Sequence, residues 1–158
     1  MASMPPGSRT TVDEPSKFAM QDYASVAMRT VDGVRITGFA IFHRASPSDS
    51  PANITLLYCH ANAGNMGHRL PLASRIKNLA GVNVFMLSYR GYGLSDGTPS
   101  EKGLKIDAQT ALDWILNHPE LGSTKIIVYG QSIGGAVAID LAARYKGYQI
   151  LFRDNLKY

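Results

Sequence analysis

The sequence predicts an α/β protein, a mostly parallel sheet with helices on both faces. Three observations predict it. After an N-terminal hairpin pattern, short apolar, β-branched runs alternate with segments of helical periodicity, an order that calls for parallel strands joined by crossover helices. The runs are nearly continuously apolar, as strands buried on both faces must be. Each of these runs leads into a loop of small and polar residues, at the strand ends where such sheets hold ligands.

In chain order, residues 1–17 are rich in Pro, Ser and Thr and read as a flexible N-terminal arm. Tyr23–Thr30 and Val34–His43 are strand-like, and the Asp32-Gly33 between them is a hairpin signal. Residues 45–52 read as a loop. Ile54–Cys59 is a buried strand. Leu72, Ile76, Leu79 and Ala80 recur at helical spacing until Gly81, and Val82–Ser88 is the next strand. Thr98, Pro99 and Glu101 read as N-cap, first turn and capping box of a helix. Its apolar face is Leu104, Ala108, Ala111, Leu112, Ile115 and Leu116, and it ends at Asn117-His118-Pro119. Lys125–Tyr129 is a further strand, followed from Ala136 by a small-residue helix.

Composition narrows the function classes. With 45% hydrophobic and 18% charged residues, the 158-residue chain can bury one core. Its net charge of +4 is scattered and forms no basic run, so no nucleic-acid partner is expected. Cys59, the single cysteine, reads as a reduced core residue and fits an intracellular location. No signal peptide or membrane-length apolar run is recognisable. Asn53-Ile54-Thr55 matches a glycosylation acceptor, but it sits at the entry to a buried strand.

The chemistry-bearing stretch is Gly130-Gln131-Ser132-Ile133-Gly134, between the last strand and the small-residue helix. A Gly-x-Ser-x-Gly pattern arises by chance in roughly one chain in twenty of this length, so its context decides. Strand before and helix after are what a nucleophile elbow needs, with glycines where the two elements nearly touch. Two further loops, His60-Ala61-Asn62 and Arg90-Gly91, also lie at strand carboxyl ends.

Together, His60-Ala61-Asn62-Ala63-Gly64-Asn65-Met66-Gly67-His68, Ser88-Tyr89-Arg90-Gly91-Tyr92-Gly93-Leu94-Ser95 and Gly130–Gly135 resemble the α/β-hydrolase superfamily. The resemblance covers roughly residues 20–145. It is strongest to membrane-anchored serine hydrolases related to the fungal bud-emergence protein. It implies Ser132 as nucleophile and the backbone N–H groups of Asn62 and Ile133 as oxyanion donors. His60, Arg90, Gly130 and Gly134 are implied as loop and elbow support. His68 is left open between lining the pocket and facing solvent. The implied substrate is an acyl ester or thioester, with acylated proteins included because one branch of the family removes palmitate. No metal or organic cofactor is expected.

Three departures accompany the resemblance. Ser88 stands where many members carry Asp. No counterpart of the family's membrane anchor is expected in these residues. All four histidines, at 43, 60, 68 and 118, precede Ser132, whereas the family places its triad acid and histidine after the serine. The chain is therefore expected to be the N-terminal part of the fold: a partial domain over 18–147, incomplete at the C-terminus, with a non-matching tail over 148–158. The elbow strand is expected to be an exposed apolar edge, with Ile150–Phe152 able to pair at most as a stub. By itself the chain is expected to be inactive, and a non-catalytic binding module is the alternative. A dinucleotide-binding reading is weak, because Gly91-Tyr92-Gly93 lacks the third glycine and a helix at the needed offset.

Overall fold

The computed structural model describes residues 10–145 and 149–153. Asp32-Gly33 turns the chain between β1 (Tyr23–Arg29) and β2 (Arg35–Ile41), which pair antiparallel. Gly33 supplies the left-handed geometry of that turn, at φ 85°. Next, β2 pairs antiparallel with β4 (Asn83–Ser88). Beyond β4 every pairing is parallel: to β3 (Ile54–Cys59), then β5 (Lys125–Gln131), then β6 (Gln149–Arg153). The order across the six-stranded sheet is β1-β2-β4-β3-β5-β6.

The central strands alternate their side chains between two cores. On one face Leu57 and Cys59 of β3, Phe85 and Leu87 of β4, and Ile126 and Val128 of β5 meet α2 (Glu101–Asn117) and α3 (Ile133–Arg144). On the other, Leu56 and Tyr58, Val84 and Met86, and Tyr129 meet Leu70 and Ala73 of α1 (Leu70–Ala80). Period-two strands with both faces covered must be apolar throughout, which is why these runs read as continuous.

Six expectations need correction. Leu79 of α1 is 83% exposed; nine positions after Leu70 it points about 180° away from that buried residue. Leu116, at the rim of the α2 stripe, is also exposed, at 36%. The α2 cap is Ser100, whose side chain accepts from the Gly103 N–H, rather than Thr98. Pro99 stands outside the helix and packs on Gly91, where a Cβ would run into its ring. The stretch read as a loose arm is docked in its described part: Thr11 accepts a hydrogen bond from the Asn65 side chain, and Pro15–Phe18 forms a 3₁₀ turn with Pro15 buried. Finally, β5 is no edge, because β6 pairs with it over Ile127↔Gln149 to Gln131↔Arg153.

Candidate active site

The topology itself opens a crevice. From β3 the chain crosses by α1 to β4 on one side, and from β5 it crosses by α3 to β6 on the other. The two helices cover opposite faces, so the loops leaving β3 and β5 diverge at the carboxyl end of the sheet. Such switch points are where open α/β sheets place ligands. His60–Asn62 leaves β3 there and Ser132 leaves β5.

Ser132 is held at φ 56°, ψ −120°, a strained conformation for a residue with a side chain. Its position is the N-cap of α3, yet its hydroxyl makes no capping bond and the residue is exposed. The strain has a packing cause. A Cβ on Gly134 would collide with the Cys59 and His60 carbonyls, and one on Gly130 would meet the Gly134 carbonyl and lie 2.5 Å from the Gly135 Cα. Strand, turn and helix are therefore in backbone contact, and the serine is pushed outward. Ile133, the first residue of α3, carries an N–H without an intrahelical acceptor, at the positive end of the helix.

The β3 loop is held from below and from the side. His60 is fully buried; its Nδ1 lies 2.7 Å from the Ala61 carbonyl, and its ring packs on Tyr89 at 4.5 Å and Tyr92 at 5.1 Å. Burial lowers its pKa to about 4, so the ring is neutral. Its Nε2 has no hydrogen-bond partner among the described residues, so its support of the loop comes from ring packing and the single Nδ1 contact. The Tyr92 hydroxyl donates to the Asn62 side-chain oxygen, and the Ser88 hydroxyl donates to the Tyr92 carbonyl. Cys59 is an inert thiol, raised by burial to about 12.

Arg90 anchors the next loop. Its guanidinium spans two carboxylates: Nη1 and Nη2 donate to Asp32 at 2.7 and 2.9 Å, and Nε donates to Asp107 at 2.9 Å. The Arg90 backbone N–H adds a 2.8 Å bond to Asp107. The hairpin turn, the loop after β4 and the middle of α2 thus meet at one side chain. The bonds from Arg90 hold the Asp32 carboxyl well below the usual carboxylate range. Burial pushes the Asp107 carboxyl up, against the donors from Arg90.

The other histidines are employed elsewhere. His68 accepts from the Asn65 N–H in a capping box, and its residue is exposed rather than part of the pocket described below. His43 lies at the opposite end of the sheet, where its backbone N–H donates to the side-chain oxygen of Asn83, the first residue of β4. His118 stacks on Trp114 at 4.9 Å and Phe42 at 5.7 Å. Among the described residues no group of three His, Cys, Asp or Glu is placed to hold a metal ion. Asn62 and Ile133 both line a cleft of about 690 Å³ that also takes in residues from the start of α2 and from α3. Asp32, Asp107 and Tyr92 are the site-supporting residues that sequence reasoning missed; for Asp107 the signal was an acid on the apolar stripe of a helix, which demands a cation nearby.

Residues 54–151 match the family described as alpha/beta hydrolase fold, more than half of the chain. The chain belongs to the α/β-hydrolase family. This α/β hydrolase is 52% identical to protein bem46 of Schizosaccharomyces pombe over 143 residues, covering 90% of the chain and 46% of the relative. It is 34% identical to an uncharacterized membrane protein of Saccharomyces cerevisiae, covering 89% of the chain and 47% of that protein. In structure it resembles an esterase of Pyrococcus furiosus at a TM-score of 0.71 and 25% identity, covering 89% of the chain and 51% of the esterase. The chain thus spans about half the length of these relatives. No helix among the described residues is long and apolar enough to cross a membrane.

Proposed function

We propose that this stretch is the nucleophile half of a serine hydrolase acting on acyl esters or thioesters. The observation that carries the reading is the strained, uncapped, exposed Ser132 beside the crevice. Its Oγ attacks the acyl carbonyl carbon and gives its proton to a base. The carbonyl electron pair moves to oxygen, held by the N–H groups of Ile133 and Asn62. Collapse expels the alcohol or thiol, which takes the proton, and water then frees the acid from the acyl-serine. Gly130 and Gly134 permit the elbow, while His60 and Arg90 hold the loops around it. Acylated proteins inside the cell are among the acyl substrates the resemblance implies.

The base is the missing part. None of the four histidines faces Ser132: one is sealed under its loop, one caps a turn, and two lie at the far end of the sheet. Loss of the base alone costs about 10⁶ in turnover in another serine hydrolase, so the 158 residues alone are expected to be nearly inactive. Added imidazole tests the assignment by supplying a base. Hydrolysis of p-nitrophenyl butyrate by the chain is expected to rise with imidazole well above the rate of Ser132→Ala. Equal rates in the two proteins would sink the nucleophile assignment and favour the second reading, a binding module without turnover, to which the same histidine placement points.

A further inference from the structure

On the side away from β5, the sheet ends at β1. An open strand edge invites pairing, and proteins blunt such edges with prolines, bulges, charges or a covering element. β1 is little blunted. Its seven residues, Tyr-Ala-Ser-Val-Ala-Met-Arg, pair with β2 in unbroken register from Tyr23↔Ile41 to Arg29↔Arg35, and its one charge is at the last position. Backbone bonds from Phe42 to Asp22 and from Thr30 to Val34 fix the phase of that ladder. Bonded positions alternate along an antiparallel pair. Ala24, Val26 and Met28 therefore bond β2, while the N–H and C=O groups of Tyr23, Ser25, Ala27 and Arg29 point outward. Among the described residues none of these outward groups has a backbone partner. Ala24, Ser25 and Ala27 are exposed and small, which leaves that backbone accessible.

We propose that a second copy of this chain pairs here, β1 against β1, antiparallel about a two-fold axis at Val26. Only positions with outward groups can bond one another. The register centred on Val26 uses all of them: Tyr23 faces Arg29 of the second copy, Ser25 faces its Ala27, and the axis repeats both pairs. Each pair can exchange two hydrogen bonds, and a slide by two positions leaves one end of the strand unpaired. Charge complementarity favours a second copy over a foreign strand. Opposite residues share a face of the sheet, so Arg29 comes to Tyr23, whose hydroxyl donates to the exposed Glu14 carboxylate at 2.8 Å. A cation beside an aromatic ring with a carboxylate at its rim is favourable, and the axis places one such contact at each end. Within its own chain Arg29 bonds the Gly33 carbonyl and, among the described residues, no carboxylate. The pairing joins two six-stranded sheets into one. Ser132 leaves β5, with β2, β4 and β3 between it and the joint, so both sites stay open.

Sedimentation equilibrium of the 158-residue chain over the micromolar range tests this, with circular dichroism to confirm that each variant is folded. A monomer–dimer equilibrium is expected in the parent chain. Ala27→Pro removes an outward N–H at an exposed edge position, where proline is tolerated. By symmetry the dimer loses two bonds, and its dissociation constant is expected to rise roughly tenfold or more. Arg29→Glu brings like charges together at both ends and is expected to weaken the dimer by roughly tenfold. Adding Glu14→Arg to that variant reverses both charges and is expected to bring the constant back to within about threefold of the parent. A parent chain that stays monomeric overturns the inference. So does a dimer that either single variant leaves unchanged, or a double exchange that recovers nothing. If Ala27→Pro does not fold, the charge exchange decides alone.

Discussion

The Arg90 anchor and the Ser132 elbow lie at the same end of one sheet and are built by opposite means. Around Arg90 each charged group shown is paired: two carboxylates take four bonds from one residue, and Asp107 is fully buried. At Ser132 the backbone is strained, the hydroxyl caps nothing and the residue is exposed. Satisfied polar contacts hold the surroundings still, and that rigidity is what allows one residue to stay in an unfavourable conformation. The difference separates the part that holds the site from the part proposed to react.

Breaking the anchor is expected to have the largest effect. Arg90→Ala leaves the Asp107 carboxylate buried without its cation, at a cost of about 3–5 kcal/mol. Thermal unfolding is expected to show a fall in Tm on the order of 10 °C; a fall of only a degree or two would mean that the anchor holds nothing. Arg90→Lys is expected to recover only part of the loss, because an ammonium cannot span two carboxylates as the guanidinium does.

The floor of the β3 loop gives the next effect, and it depends on pH. His60 has a folded pKa of about 4 against about 6.5 when unfolded. Between those values the unfolded chain binds more protons, so stability rises with pH through the window and is fully present above about 6.5. Acidification toward pH 4 is expected to remove about 3 kcal/mol through this residue. Urea unfolding at pH 7 and pH 4.5 should show that loss in the parent chain and a much smaller one in His60→Phe. Equal losses would place the acid sensitivity elsewhere. Asp32 adds to it only at lower pH, since its depressed carboxyl gives up stability as pH falls below the usual carboxylate range.

The elbow should respond in the opposite direction and least. Ser132→Gly removes the Cβ from a position at φ 56° and is expected to stabilise the fold by about 1–2 kcal/mol relative to Ser132→Ala. No gain would mean that the elbow stores no strain and would erase the contrast with the anchor.

Much of this was legible in the sequence because it is carried by periodicity and local turn chemistry. The hairpin at Asp32-Gly33, the strand Ile54–Cys59 and the helix end at Gly81 each follow from residues a few positions apart. Position along the chain does not give rotation about a helix end, so spacing alone puts Leu79 and Leu116 on faces they only border or oppose. Pairings across long separations were the least legible. Tyr92 with Asn62 and Arg90 with Asp32 are set by how loops meet over the sheet. Asp107 lay within reach: an acid three positions after Leu104 and four before Ala111 sits on the buried stripe.

The strand order also sets a timetable. β3 gains β4 on one side early, but its other edge waits for β5, with Ile54 facing Lys125, 125 − 54 = 71 positions later. At about 5–20 residues per second, a ribosome needs roughly 4–14 s to make that stretch. For that interval an apolar strand has an open edge beside the emerging chain, which favours pairing with the wrong partner. The strand that carries the proposed nucleophile is therefore also the one that closes the centre of the sheet during synthesis.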